Sequence, residues 1–465
     1  MRPRRYSGGM PAALPPASAD AAPALPARAL RGSILHFLRD PGASDDAESW
    51  QYVDDGLLVV DGASGRVLDC GDHAALAPRW LQRGAPVDDW RGHLIVPGFV
   101  DAHVHGGQME VIASYGTQLL DWLERYTFPA EARFADRGHS ARMAAWFCDT
   151  LLAHGTTTAA VLPTVHAASV DTLFEAASLR NMRVLAGKVM MDRHAPAALC
   201  DADLGACERA CRDLIERWHG RGRLGYLVTP RFAPTSSDAQ LRLAGELAGA
   251  YGLAVQSHLA ENRAEVAWVA ELFAALGCRS YAEVYAHYGL LRPGSVYAHG
   301  IWLDDADRRL LAAQGTAIAF CPTSNLFIGS GLFDLAAADR AAMPVALATD
   351  VGGGTSYGML QTMAEAYKVL QLQGQNLSPW RAFYLATRGG ARALGLDGRI
   401  GSFEPGREAD AVVLRWAHGA VQRLRQDAAH TTAERLFVLM TLGTQANVAA
   451  TYLLGQPAYR DAEPR

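Results

Sequence analysis

The sequence predicts an α/β fold: a (β/α)8 TIM-type barrel with a small β-sandwich domain built from both chain ends. Three observations predict it. In the middle of the chain, eight apolar strand patterns alternate with helix-length amphipathic stretches. Short strand patterns broken by tight-turn residues precede that region and return after it. Finally, no GxGxxG opens a helix after the first of the eight strands, so an open doubly wound sheet lacks its fingerprint.

Taken in order, residues 1–28 are rich in Pro and Ala, with three Arg in the first five positions. They lack the continuous apolar core of a signal peptide and read as a disordered extension. A transit peptide is the lesser alternative, because the Ala-Pro mixture makes no amphipathic helix, and Met10 is an alternative start. Residues 29–96 carry RGSILHFL, DDGLLVVDGASGRVLDCG and GHLIVPG, small strands joined by turns. Residues 97–397 hold the eight strands FVDAHVH, GTTTAAVL, RVLAGKVMM, LGYLVTPRF, LAVQSHLAEN, SVYAHG, AIAFCPTSN and VALATDVGG. Segments such as SARMAAWFCDTLLA and RAEVAWVAELFAAL separate them, and eight such repeats in roughly 280 residues suit a barrel. Residues 398–465 return to strands in GREADAVVLR and AATYLLGQPAYR, with a helix predicted at Thr432–Leu442.

Composition bounds the partners. The chain has 465 residues, enough for one large domain and a smaller companion. A net charge of -5 creates no basic field for nucleic acid, and no apolar run reaches the ~18 residues of a membrane span. Seven cysteines without paired spacing point to a reducing, cytoplasmic setting. Cys207 and Cys211 lie four apart in a helical pattern and read as buried core thiols, with Cys200 nearby and no CxxC pair to suggest a metal.

Chemistry concentrates at the predicted strand ends, where a barrel carries its site. The first strand ends in His103 and His105, the fifth at His258, the sixth at His299 and the eighth at Asp350. Residues i and i+2 of a strand share a face, so His103 and His105 can point inward together. Imidazole nitrogens with one carboxylate make a zinc site that leaves a position for water. Other histidines, such as His36, His73, His219 and His418, have no such setting. The HxH pair alone is a weak signal; the full set in this order is a strong one.

PGFVDAHVH and the C-terminal GSFEPGREADAVVL resemble the amidohydrolase superfamily, and the resemblance runs over nearly the whole chain after Arg28. It implies metal ligands at His103, His105, His258 and Asp350, with His299 as a ligand or hydrogen-bonding partner. Binuclear members carry a carboxylated lysine at the end of the fourth strand. Here that strand ends Thr229-Pro230-Arg231-Phe232, and Lys188 on the third strand suits packing or anion pairing. One Zn2+ per chain is therefore expected, Fe2+ and Mn2+ being the other ions such ligands accept. The PCxxC of cysteine-ligated zinc deaminases is absent.

Within the superfamily, HVHGGQ, GKVMMDRHAP, VTPRF, SHLAEN, CPTSNLFIGSGLF and TDVGGGTSYGML resemble the guanine deaminases more than the cytosine, triazine or adenosine-type members. Phe320 departs from the His that relatives often have before the cysteine. The resemblance implies hydrolysis of guanine to xanthine and ammonia; the alternative substrate is another aminated heterocycle, such as a triazine or a modified purine. A catalytically silent scaffold would lack ligands, and all five strand-end residues are present. The implied catalytic groups are Asp350 as ligand and base, Glu261 as proton shuttle, and His299 as a stabiliser of developing charge. Glu261 alternatively caps the helix that follows it. Gln108 and Arg231 would read the purine edge, Phe232 would stack on it or simply pack, and His258 and Glu261 would also touch it. Asn325 is expected on a loop at the tip of the seventh strand, and Gly352-Gly353-Gly354 allows close backbone approach or a plain turn. The implied partners are a small purine base and water, with no nucleic acid or membrane, and a homodimer as the assembly.

Overall fold

The structure, a computed structural model, describes residues 27–115 and 118–461. The extension expected at the N-terminus lies outside them except for its last two residues.

Four strands form before the middle region: β1 (Arg28–Phe37), β2 (Trp50–Val60), β3 (Val67–Asp72) and β4 (Val87–Pro97). The middle supplies β5 (Phe99–His105), β6 (Thr156–Leu162), β7 (Arg183–Ala186), β8 (Val189–Met190), β9 (Leu224–Tyr226) and β10 (Thr229–Pro230). It continues with β11 (Gln256–Leu259), β12 (Val296–His299), β13 (Ala317–Phe320) and β14 (Val345–Leu347). The chain ends on β15 (Ala411–Arg415), β16 (Val448–Leu453) and β17 (Gln456–Arg460).

Both chain ends meet in one seven-stranded sheet, ordered β17-β16-β15-β4-β1-β2-β3. β15 lies antiparallel to β4, with Val413 opposite Ile95, so the return of the chain predicted from its C-terminal strand patterns is found. Leu454 and Gly455 close the β16–β17 hairpin with φ of 50° and 72°, the positive pair a tight hairpin turn needs. The helix expected at Thr432–Leu442 forms with those bounds, and Tyr367 on Met359–Gln371 meets its Phe437 with ring centroids 5.0 Å apart.

The middle strands form two four-stranded parallel sheets, β5-β6-β7-β9 and β11-β12-β13-β14, with a parallel β8–β10 pair. Backbone hydrogen bonds span both seams. Asp350 N donates to His103 O at 3.0 Å and His105 N to Val351 O at 2.9 Å, joining the end of β14 to β5. On the other side Gln256 N donates to Val228 O at 3.0 Å beside a parallel Val228–Val255 bridge. β5 and β6 are buried along their whole length, as strands covered on both faces must be.

Three of the expected strands differ in detail. RVLAGKVMM breaks into β7 and β8, and LGYLVTPRF into β9 and β10. At the break, Leu227 N donates to Ala186 O at 2.9 Å, and a Cβ on Gly187 would stand 1.8 Å from Leu227 O. AIAFCPTSN stops at Phe320, where Pro322 opens the helix Pro322–Phe327. Asn325 is therefore on a helix, not the expected loop. Two short helices, His73–Trp80 and Gly419–Asp427, were not foreseen.

A buried ionic network ties the C-terminal segment to the parallel strands. Glu408 lies 2.6 Å from Arg183 of β7 and 3.0 Å from Arg223 beside β9, and Arg223 also pairs with Asp410. All seven cysteines are free thiols, with Cys207 and Cys211 buried on Leu204–Trp218 as expected. Among the described residues no helix is long and apolar enough to cross a membrane.

Candidate active site

The strand ends converge. His103 and His105 leave β5 on one face, with their Nε2 atoms 3.3 Å apart. His258 of β11 brings its Nε2 to 3.2 Å from that of His105. Asp350, three residues beyond β14, places Oδ1 3.2 Å from both His103 Nε2 and His105 Nε2. These four residues each offer a ligand atom within 4.8 Å of the others, a cluster able to hold a metal ion. His299 stands at its edge, with Nε2 3.8 Å from Asp350 Oδ2. His299 and Asp350 have φ of 76° and 49°, a region that side chains other than glycine seldom occupy. Such strain, on the order of 1–3 kcal/mol each, persists where surrounding bonds impose it. Here the neighbouring backbone bonds Gly300 N to Leu259 O and Asp350 N to His103 O hold it.

Electrostatics suits metal binding. Burial pushes His105 down to about 4, and burial with the neighbouring imidazoles holds His258 well below its ordinary range, so both rings are neutral at pH 7. His258 Nδ1 lies 2.6 Å from Arg231 O, which can only accept, so the proton sits on Nδ1 and the Nε2 lone pair faces the cluster. Asp350 is held well below the usual carboxylate range; burial opposes its ionisation, but hydrogen bonds from His103 and His105 and the charge of His299 prevail.

Glu261 is buried beside this cluster, with Oε2 3.4 Å from His299 Nε2 and Oε1 accepting from Ser330 Oγ at 2.9 Å. Burial, followed by the nearby Asp350 charge, raises it to about 8. Asn262, not Glu261, caps the helix Arg263–Leu272, and Glu265 completes the capping box. His299 Nδ1 is 2.8 Å from Asn325 Oδ1, which orients the ring. Lys188 is not among the residues that line the cleft; it is buried in an ion pair with Asp201. Phe320 points away as well, stacked on Phe333 with centroids 4.7 Å apart.

A cleft with about 420 Å³ of empty space, open solvent included, lies over the cluster. Gln108, Arg231, Phe232, His258, Glu261, His299 and Asp350 all line it. His103 is fully buried behind them. Gly353 lines the cleft too, while Gly352 passes so close to Gln108 that a Cβ would stand 2.5 Å from its carbonyl oxygen.

Leu119, Trp122, Leu123 and Ile328 form its apolar walls and were not anticipated. Nor was Glu131, fully buried, whose carboxylate lies 2.7 and 2.9 Å from Arg231 Nη1 and 2.9 Å from Gln108 Nε2. A signal for these was present: QLLDWLERYTFPAEARF is a long apolar-rich connection after the first strand, where such folds place function.

The family model described as Amidohydrolase family matches residues 94–456. The guanine deaminase of Escherichia coli (strain K12) is 46% identical over 434 residues, 93% of this chain and 98% of the relative. A solved structure of E. coli guanine deaminase superposes with a TM-score of 0.90 at 46% identity, covering 93% of this chain and 99% of that one. The guanine deaminase of C. acetobutylicum, solved with guanine bound in its active site, gives a TM-score of 0.83 at 27% identity, covering 93% and 100%. With its matched span, its convergent strand-end ligands and these relatives, the chain belongs to the amidohydrolase family, alongside the family's guanine deaminases.

Proposed function

We propose that this protein hydrolyses guanine to xanthine and ammonia, using one zinc ion per chain held by His103, His105, His258 and Asp350. The observation that carries the reading is the opening of the His/Asp cluster onto one cleft shared with Glu261, Gln108 and Arg231. The activity named for the E. coli relative, 46% identical over 93% of this chain, agrees with it.

The residues fit a metal, since neutral imidazoles with one carboxylate are a zinc-type donor set and His258 keeps its proton on the far nitrogen. When bound, zinc supplies Lewis acidity that makes water nucleophilic at neutral pH. The chain's own groups do the rest. Asp350 orients the attacking water and takes its proton as oxygen bonds to guanine C2. Glu261 donates to the ring nitrogen beside C2, takes up the remaining proton of the added hydroxyl as it becomes the C2 carbonyl, and passes it to the amine, so the C2–N bond breaks with release of ammonia. Asp350 then returns the first water proton to Glu261. His299, steadied by Asn325, stabilises the charge that develops on the oxygen added to C2. Gln108 and Arg231 read the purine edge while Phe232, in ring contact with Trp268, offers a face.

The wider architecture follows the same reading. We take the eight parallel strand segments as a closed (β/α)8 barrel over 97–397; the hydrogen bonds across both seams support closure. The small β-domain draws on 29–96 and 398–465, and the seven free thiols support a reducing compartment such as the cytoplasm.

The decisive test incubates purified protein with guanine, adenine, cytosine and amino-triazines and measures ammonia release and metal content. Guanine should exceed the others by at least ~100-fold, the discrimination that unpaired polar groups impose, with about one divalent ion per chain. A triazine or adenine turned over as well as guanine would overturn the purine reading. Two tightly held ions would overturn the single-metal site.

A further inference from the structure

We propose that Glu131 is a positioning residue: a fixed counter-ion that tethers the guanine-reading side chains and keeps the Arg231 fork electrically neutral, so that the cleft selects an uncharged purine over an anion. The inference rests on the guanine reading above and deepens it.

Glu131 sits on the short helix Phe128–Ala132 and is 0% exposed, while Arg231 is 3% exposed. Both Glu131 oxygens engage the same Arg231 nitrogen, Nη1, at 2.9 and 2.7 Å. Oε1 also accepts from Gln108 Nε2 at 2.9 Å, so one carboxylate holds both readers. One turn earlier on the same helix, Phe128 places its ring 5.6 Å from the Arg231 guanidinium carbon. The guanidinium is clamped by charge and by a ring face from one short element. Among the described residues no hydrogen bond occupies Arg231 Nε or Nη2, and Arg231 lines the cleft. Those donors are left for a ligand.

Two consequences follow. Ordering two long side chains in advance removes a cost that each would otherwise impose on binding. Pairing Arg231 with a buried carboxylate also offsets its charge, whereas an unpaired guanidinium at so buried a position would attract an anion. The distinction matters for this reaction. Guanine is neutral near pH 7, whereas the product xanthine has gained an N–H beside its new C2 carbonyl and gives up a proton more readily. A neutral fork therefore holds substrate and lets ionised product go.

The experiment uses the full-length, metal-loaded protein. It measures guanine KM and kcat and xanthine Ki from pH 7 to 9, with metal content and thermal midpoint, for wild type, Glu131→Gln and Glu131→Asp. Glu131→Gln should raise guanine KM about 10- to 100-fold, the range for losing a charged hydrogen bond, with kcat within several-fold. At pH 9 its ratio of guanine KM to xanthine Ki should rise at least ~10-fold beyond the KM change alone, as the uncovered Arg231 gains the xanthine anion. Glu131→Asp keeps the charge but shortens the reach, so KM should rise about 10-fold while xanthine Ki weakens in step. If Glu131→Gln fails to fold, Glu131→Asp decides, and a wild-type guanine KM there overturns the tether. A Glu131→Gln protein whose substrate and product weaken equally at pH 9 overturns the counter-ion role, since a purely structural residue would behave so. Wild-type protein that leaves guanine intact overturns the guanine reading and this inference with it; an active wild type with unaltered variants overturns this inference alone.

Discussion

Glu261 shows how one residue's role depends on what its neighbours take over. Sequence allowed it two roles, proton carrier or helix cap, because an acid at a helix start serves either. In the structure Asn262 and Glu265 do the capping, and Glu261 turns toward His299 and Ser330. Because burial raises Glu261 to about 8, glutamine mimics its neutral form and Glu261→Gln should bind guanine normally. Turnover should nonetheless fall roughly 10²–10⁴-fold with metal content unchanged, read by steady-state rates and elemental analysis. Near-normal kcat in a folded, metal-loaded variant would remove Glu261 from the chemistry, and loss of metal would move it among the ligands. Arg231, just past β10, was placed at the mouth by the βα rhythm and Gln108 by its HVHGGQ motif, and both line the cleft. Glu131 was not, since an acid within a helical stretch usually faces water and only packing reveals that this one does not.

At the scale of elements, apolar runs located every parallel strand but overstated their lengths. Hydrophobic pattern reports burial, not ladder pairing, so RVLAGKVMM and LGYLVTPRF read as single strands although each is interrupted. The interruption depends on Gly187, whose missing side chain lets the backbone of Leu227 pass. Gly187→Ala would set a Cβ 1.8 Å from Leu227 O, and a backbone atom cannot swing aside. We expect about 3 kcal/mol of lost stability, at the upper end for overpacking, seen as a lower denaturant midpoint. An unchanged midpoint would mean that the two segments need not lie so close. The helix His73–Trp80 was missed because Pro78 within it argues against a helix, whereas Asp72 accepts from Ala74 N and Ala75 N and starts it regardless.

For the molecule as a whole, stability should depend on pH through His36, which joins β1 to the C-terminal segment. The ring is buried, with Nε2 3.0 Å from Gln51 Oε1 and Nδ1 3.2 Å from Ser402 Oγ. Burial pushes it down to about 4, while an unfolded histidine titrates near 6.5. Between those values the unfolded chain binds a proton that the folded chain refuses, so stability is full above about 6.5, falls as pH drops below it, and levels off below about 4. The integrated loss is about 3 kcal/mol. Urea unfolding at pH 7 and pH 4 should show wild type losing that much more than His36→Gln; equal losses would refute the assignment.

Local order in the sequence was enough for the βα alternation, for the sheet strands at both chain ends, and for the metal-cluster residues at the ends of strands. Each is written in short-range pattern: alternation, turn residues, and i, i+2 spacing on one face. Contacts between distant segments were decided only by the tertiary structure. Glu131 meets Arg231 across 100 residues and Arg183 meets Glu408 across 225. No periodicity encodes such pairings. A buried charge is tolerated where folding delivers its partner, and delivery depends on how every intervening element packs.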